Sequence, residues 1–150
     1  MDIKWNEQIS IDNGVLDEEH KIFIDIANKF IHQDKQFSDL NQAREFLVNL
    51  KDHLLAHFKN EEDYQREVGY SNIVDHHEQH QTMVSFLNEI IIKIDTGKNN
   101  QLLLIDKLTT KLLTDFLVKH MLEEDIKMRD FVREIEQQSK EQEAPEVIYV

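Results

Sequence analysis

Long stretches of the chain carry apolar residues with the 3.6-residue period of amphipathic helices. This pattern predicts four helices, over about residues 17–33, 38–67, 71–95 and 101–137. Three glycines and one proline leave little material for the tight turns of a sheet. The predicted fold is all-α: an antiparallel up-and-down four-helix bundle with short loops and an N-terminal arm over residues 1–16.

Polar residues and glycines mark the predicted helix ends. Asp17 is expected to be the N-cap of the first helix, and either Ser38 or Asp39 the N-cap of the second. Gly69 is expected to end the second helix as a C-terminal glycine. The other predicted boundary residues are Ser71 or Asn72 before the third helix, Gly97 after it, and Asn99 and Asn100 before the fourth.

The apolar stripes also predict the core, since each helix should bury one stripe against its neighbours. The predicted inward residues are Ile22, Phe23, Ile26 and Phe30 in the first helix, Phe46, Leu47, Leu50, Leu54 and Phe58 in the second, Ile73, Val84, Leu87, Ile90, Ile91 and Ile94 in the third, and Leu104, Leu108, Leu112, Phe116, Leu117 and Phe131 in the fourth.

The length predicts one domain over residues 1–138, in which the arm with Trp5 lies across the bundle. From Ser139 the chain turns polar, and residues 139–150 are expected to form a flexible tail. A second interpretation stays open, in which the apolar residues 147–150 dock on the bundle or on a partner.

Composition excludes several classes of site and partner. The absence of cysteine rules out disulfides, iron–sulfur clusters and thiolate metal sites. A net charge of −13 argues against nucleic acid and against anionic membrane surfaces as partners. Neither a signal peptide nor an apolar run long enough for a bilayer is visible. We expect a cytoplasmic monomer.

Seven potential metal ligands fall on the four predicted helices, several of them four residues apart and therefore on one helix face. Each motif is weak alone, because a single histidine on an apolar face is usually a core residue. Together, five imidazoles and two carboxylates are too many for one ion and suit two ions that share bridges. Imidazole and carboxylate suit iron, although manganese accepts the same donors. The chain is therefore predicted to be a non-haem di-iron protein. The seven are His20, His57, Glu61, His76, His80, His120 and Asp125.

His120 and Asp125 are five residues apart, which a straight α-helix would place about 140° from each other. Either the reach of the two side chains covers this angle, or the helix contains a π-type bulge; we predict a local distortion. Of the remaining histidines, His53 is either an outer partner of the site or a packing or boundary residue, while His32 and His77 are expected at the surface.

These motifs resemble those of hemerythrins, over nearly everything from Trp5 to about Phe131. Two departures are visible: Ser71 and Phe116 stand where that family often has proline and tryptophan. The resemblance rests on the Trp-bearing arm, Asp17-x-x-His20, His57-Phe58-x-x-Glu61-Glu62, Gly69-Tyr70 before His76-x-x-x-His80, and Phe116-Leu117-x-x-His120-Met121-x-x-x-Asp125.

The resemblance implies two Fe ions with unequal ligand sets. Three histidines, His76, His80 and His120, would bind one iron, and His20 and His57 the other. Glu61 and Asp125 would bridge the two, with an oxo or hydroxo group as the third bridge. The two-histidine iron would keep an open position for O2.

Reversible O2 binding needs a pocket that excludes water and protons. Six apolar residues near the ligands in sequence are candidates for its lining, although plain core packing explains them equally well. They are Phe23, Ile24, Phe58, Phe116, Leu117 and Met121.

Three functions remain open on the sequence alone. The favoured one is reversible O2 binding for storage, delivery or buffering, without enzymatic activity. The second is an oxygen, redox or iron sensor that acts through a partner. The third is a di-iron redox enzyme acting on peroxide or nitric oxide.

Overall fold

The computed structural model describes residues 2–32, 37–97 and 101–142, and this part of the chain folds into four long helices. Helix α1 spans Val15–Ile31, α2 spans Leu40–Val68 and α3 spans Ile73–Thr96. A fourth helical rod, α4, runs without a break from residue 102 to residue 142. A short 3₁₀ turn, Glu7–Ile9, precedes α1 in the N-terminal arm. The all-α prediction is confirmed.

Helices that follow one another in sequence pack antiparallel, and contacts between opposite ends show this for α1 with α2 and for α2 with α3. The Phe30 and Phe46 rings at one end of α1 and α2 have centroids 4.9 Å apart. Arg44 Nε at the start of α2 lies 2.8 Å from Asp95 Oδ1 at the end of α3. Phe86 of α3 stacks on Phe116 of α4, with centroids 4.7 Å apart.

The ends of α2 follow the sequence prediction. Asp39 is the N-cap, and its side chain accepts a 2.8 Å hydrogen bond from the backbone N–H of Gln42. Gly69 ends the helix with φ of 70°, a left-handed conformation that glycine adopts without a Cβ penalty. Asn72 precedes α3, but its side chain makes no capping hydrogen bond.

The predicted start of α1 is wrong. The helix begins at Val15, and Asp12 rather than Asp17 binds the free N–H groups of its first turn. The Asp12 carboxylate accepts hydrogen bonds from the backbone N–H groups of Gly14, Leu16 and Asp17. Asp17 lies inside the helix, and its carboxylate instead accepts hydrogen bonds from the N-terminal arm.

The rod α4 is not a regular α-helix. It consists of an α segment Leu102–Lys111, a π segment Leu112–Val118, a second π segment Met121–Asp125 and an α segment Ile126–Gln142. The second π segment confirms the distortion predicted between His120 and Asp125; the first was not predicted. The rod also continues beyond residue 137 and through Ser139, where the tail was expected to begin. Asn99, Asn100 and the end of the predicted tail lie outside the described residues.

Two of the predicted core residues are exposed. Ile22 is 56% exposed and Leu104 is 44% exposed, and both predictions are wrong. Each residue lies about 100° around its helix from the neighbouring buried Phe23 or Ile105, outside the inward stripe. All the other predicted inward residues are buried or half-buried.

The buried apolar residues form two clusters. The larger, here called the main core, includes residues of all four helices, with Phe23, Leu54, Leu87 and Leu117 among them. The smaller, here called the end cluster, lies at the start of α1 and the end of α2. It consists of Ile11, Leu16, Tyr70 and Met128, with Tyr64, Val68 and Phe131 packed against it.

The N-terminal arm packs on the bundle, as predicted. Ile3, Trp5 and Ile9 contact the main core. The Ile3 backbone and the Asn28 amide exchange two hydrogen bonds, of 2.9 and 2.7 Å. Lys21 Nζ lies 4.3 Å from the centre of the Trp5 ring. Among the described residues no helix is long and apolar enough to span a membrane.

Candidate metal centre

The structure brings all seven predicted ligands into one buried cluster between the helices. Each of the seven residues is at most 7% exposed. Their donor atoms form two overlapping groups that could each hold a metal ion, His20 with His57 and Glu61, and the other four ligands with Glu61. The predicted residues therefore converge as the sequence spacing requires.

Local helix geometry explains this convergence. On α2 and α3 the two ligands are four residues apart, so both point from the same face. On α4 the π segment Met121–Asp125 widens the turn and carries Asp125 to the face that His120 occupies. His20 sits in the second turn of α1, behind a first turn fixed by Asp12.

Glu61 divides its two carboxylate oxygens between two groups of histidines. Its Oε1 lies 2.6 Å from His76 Nε2 and 3.0 Å from His80 Nε2. Its Oε2 lies 3.3 Å from His20 Nε2 and 3.2 Å from His57 Nε2. One carboxylate therefore faces two separate sets of nitrogen donors.

Asp125 divides its oxygens in the same way. Its Oδ1 lies 2.9 Å from His76 Nε2 and 3.0 Å from His120 Nε2, while its Oδ2 lies 3.3 Å from His20 Nε2. The two carboxylates thus lie between a group of three histidines and a group of two.

The carboxylates raise the proton affinity of several of these imidazoles. Burial lowers the pKa of His20 and His76, but the adjacent Asp125 and Glu61 outweigh it and raise both pKa values to about 10. Burial also opposes the charge on His57, whose pKa rises to about 8 beside Glu19 and Glu61. For His80 burial prevails, and its pKa is lowered.

The same contacts act on the acids in the opposite direction. Burial raises the pKa of Glu61, but four histidines hold it well below its usual value. Burial and Glu61 both raise the pKa of Asp125, yet His120 and His20 outweigh them and lower it. Both carboxylates are therefore anions at neutral pH, in a position where an uncompensated charge would be costly.

The donor atoms are arranged to bind a cation rather than to form hydrogen bonds with one another. The Nε2 atoms of His20 and His57 face each other at 3.1 Å, and those of His120 and His76 at 3.0 Å. Neither oxygen of Asp125 makes a hydrogen bond, although imidazole nitrogens lie within 3.3 Å. Nitrogen and oxygen donors in this arrangement are those that iron accepts in proteins. The residues present therefore fit a pair of divalent ions.

The ligands occupy one layer along the bundle. On α1, His20 lies between Leu16 of the end cluster and Phe23 of the main core. On α4, Asp125 lies between Met121 of the main core and Met128 of the end cluster. Apolar side chains therefore close the polar layer on both sides.

The six candidate pocket residues take different positions around this layer. Phe23, Ile24, Leu117 and Met121 are all buried in the main core. Phe23 contacts the edge of the His57 ring, with centroids 5.2 Å apart, on the two-histidine side.

The remaining two candidates lie on the three-histidine side. Phe58 is buried and stacks on His80, with centroids 3.9 Å apart. Phe116 is half-buried and borders a surface cavity of about 240 Å³ that Gln79 and His120 also line.

The three other histidines lie at the surface. His53 is exposed and borders a small cavity of about 130 Å³ next to Glu19 and Phe23. His77 is exposed and pairs with Glu62, and His32 is exposed and pairs with Asp2. The predicted surface positions of His32 and His77 are confirmed.

Sequence reasoning overlooked Glu19 as a site residue, because it fits the first turns of a helix as a simple dipole partner. Its Oε1 lies 3.3 Å from His57 Nδ1, and burial, which opposes its charge, is outweighed by His57 so that its pKa is lowered. The available signal was its position next to the predicted ligand His20. Neighbouring residues on a helix point about 100° apart, so Glu19 can face a second helix while His20 faces the site.

Comparison with known proteins gives a consistent result. A family model described as the hemerythrin HHE cation binding domain matches residues 12–143. A bacteriohemerythrin of Campylobacter jejuni (strain 81-176) is 30% identical over 131 residues, which cover 87% of this chain and 96% of the relative. Bacteriohemerythrins of Clostridium acetobutylicum and Methylococcus capsulatus are each 27% identical, over 129 and 108 residues. These matches cover 81% and 72% of this chain and 94% and 79% of the relatives.

The matched residues 12–143 contain all four helices and every one of the seven clustered donors. The resemblance found in the sequence motifs is confirmed, and the chain belongs to the hemerythrin family.

Proposed function

We propose that this protein binds O2 reversibly at a pair of iron ions held by the seven clustered residues. His76, His80 and His120 would hold one ion, His20 and His57 would hold the other, and Glu61 and Asp125 would be shared between them. The division of each carboxylate's two oxygens between the two histidine groups is the observation that carries this proposal. When bound, two ferrous ions supply the two electrons that reversible oxygen binding draws on.

The unequal ligand sets favour a site that binds an external molecule over a site in which the metal is purely structural. The three-histidine group with two carboxylate oxygens offers five protein donors. The two-histidine group offers one donor fewer. An ion in the second group therefore keeps room for a small external molecule, as catalytic and ligand-binding metal sites generally do.

The protein's own part in reversibility is to keep water and protons away from that position. Phe23 and Leu117 are no more than 2% exposed, and Ile24 is 3% exposed. We assign these three residues to the apolar wall of the O2 site. Phe58 belongs to the three-histidine side, where it stacks on His80, and Phe116 borders a cavity that His120 also lines.

The test is oxygen cycling. Protein loaded with ferrous iron without oxygen is exposed to air and then returned to an oxygen-free atmosphere, while the visible charge-transfer absorption is recorded. An absorption band that appears with oxygen and disappears on its removal supports the proposal. A band that never appears points to a sensor, and a band that decays while added peroxide or nitric oxide is consumed points to an enzyme.

Several expectations from the sequence stay predictions. They are the cytoplasmic location, the monomeric state, the absence of nucleic-acid and membrane partners, the single domain over residues 1–138, and the flexibility of the segment from residue 139, whose first four residues continue helix α4.

A further inference from the structure

Glu19 contacts the side of the His57 ring that faces away from the candidate metal centre. His57 Nδ1 lies 3.3 Å from Glu19 Oε1, while His57 Nε2 lies 3.2 Å from Glu61 Oε2. A neutral imidazole carries one proton, on either nitrogen. A carboxylate at Nδ1 stabilises the ring with its proton there, and that tautomer leaves the Nε2 lone pair free for a metal ion.

Glu19 is itself held in place by the helix that carries His57. Asn60 Nδ2 lies 3.3 Å from Glu19 Oε1 and 3.4 Å from Oε2. Asn60 follows His57 by three residues on α2, so both side chains approach α1 from one face. The Glu19 side chain is 22% exposed, which lets it keep its charge while it contacts a buried ring.

The three-histidine group has no equivalent contact at His80. His80 Nδ1 makes no hydrogen bond, and Glu62 Oε1 lies 3.9 Å away, beyond hydrogen-bond distance. Glu62 pairs instead with the exposed His77. Direct support by a carboxylate therefore distinguishes His57, in the two-histidine group, from His80.

We propose that Glu19 is a positioning residue that acts through His57 on the ion of the two-histidine group. It fixes the tautomer and orientation of His57, and its negative charge makes Nε2 a stronger electron donor. A stronger donor stabilises the ferric state, so Glu19 lowers the reduction potential of that ion. This inference rests on the proposed function, because it assumes iron at the two-histidine group.

Two substitutions separate orientation from charge. Glu19→Gln keeps an oxygen that accepts the Nδ1 hydrogen bond but removes the charge. We expect it to retain iron and to raise the midpoint potential, measured by potentiometric titration of the visible spectrum. Glu19→Ala removes both contributions, and we expect it to weaken binding of one iron by about 10–100-fold as well.

The matched control is Glu18→Gln, at an exposed position where the side chain pairs with Lys21. It removes the same charge from the same helix without a contact to His57, and we expect the wild-type potential. Asn60→Ala, which frees Glu19, should give a midpoint potential between those of wild type and Glu19→Gln. These comparisons exclude a general effect of surface charge.

The inference is overturned if Glu19→Gln has the wild-type midpoint potential, or if Glu19→Ala binds both irons as tightly as wild type does. Wild-type iron binding and oxygen cycling test the proposed function separately. If the wild-type protein neither binds iron nor cycles oxygen, the iron site itself is rejected. If the wild-type protein does both and the Glu19 variants have the same potential and iron affinity as wild type, only the role of Glu19 is rejected.

Discussion

The ring of Phe58 lies parallel to the imidazole of His80, with centroids 3.9 Å apart and planes within 8° of each other. Phe58 comes from α2 and His80 from α3, so this stack joins two helices at the level of the candidate metal centre. Phe58 is 4% exposed and also contacts the His57 ring beside it, with centroids 5.8 Å apart. The apolar core and the ligand cluster are therefore one packed unit.

Phe58→Ala should destabilise the protein by about 3–5 kcal/mol, because it removes a buried ring and leaves a cavity against His80. Urea unfolding of the metal-free protein measures the loss. Leu55→Ala on the same helix is the control, since Leu55 is 46% exposed and should change the free energy of unfolding by less than about 0.5 kcal/mol. Equal stabilities of the two variants would contradict the packing described here.

The π segment Met121–Asp125 determines which of two adjacent acidic residues reaches the candidate metal centre. Glu124 stands four residues after His120, where a regular helix would direct it to the site, but Glu124 pairs with Lys127. Asp125 occupies the site instead. Asp125→Asn should therefore reduce the iron bound per chain, whereas Glu124→Gln should leave it unchanged. The reverse ranking in an iron assay would show that the helix is regular in solution.

Residue spacing predicted the ligand layer because its geometry is local. His57 and Glu61 lie four apart on α2, as do His76 and His80 on α3, and helix periodicity alone orients each pair. The five-residue spacing of His120 and Asp125 likewise predicted a distortion, because a regular turn could not serve both. The π segment Leu112–Val118 carries no such mismatch in its spacing and was missed.

What the sequence did not predict depends on competition between distant groups. Asp17 has the residue type of an N-cap, but Asp12 binds the free N–H groups of the first turn and Asp17 binds the arm. Ile22 and Leu104 are apolar, yet their exposure depends on which stripe of the helix meets its neighbours. Glu19 acquires a site contact only once α1 and α2 are packed.

Asp17 binds the N-terminal arm to α1 through hydrogen bonds. Its carboxylate accepts hydrogen bonds from Ser10 Oγ at 2.5 Å, from the Ile11 N–H at 2.7 Å and from the Asn13 N–H at 3.0 Å. Asp17→Ala leaves these donors without their acceptor, so we expect a loss of about 2–3 kcal/mol in the free energy of unfolding.

The arm carries Trp5, the only tryptophan, so its fluorescence reports detachment of the arm from the main core. We expect a shift of the Trp5 emission to longer wavelength in Asp17→Ala and none in Asp25→Ala, where the residue is exposed on the same helix. An Asp17→Ala variant with native emission and native stability would contradict the role assigned to Asp17.

Iron binding should strengthen as pH rises. In the metal-free protein the pKa values of His20 and His76 are raised to about 10, so both rings are protonated at pH 7. Metal ligation requires the neutral imidazole, so iron must displace these protons, and lowering the pH favours the protonated, metal-free form. Proton release on anaerobic metal addition, followed with an indicator dye in weak buffer, checks this. Metal affinity that stays constant between pH 6 and 8 would contradict the assigned proton affinities.

The number of iron ions bound per chain tests the central claim most directly. After anaerobic reconstitution and removal of free metal, we expect two irons per wild-type chain. We expect one in His57→Ala, which loses a donor from the two-histidine group while the three-histidine group keeps all of its own. Wild-type protein that retains no iron, or a His57→Ala variant that retains both ions, would contradict the di-iron assignment.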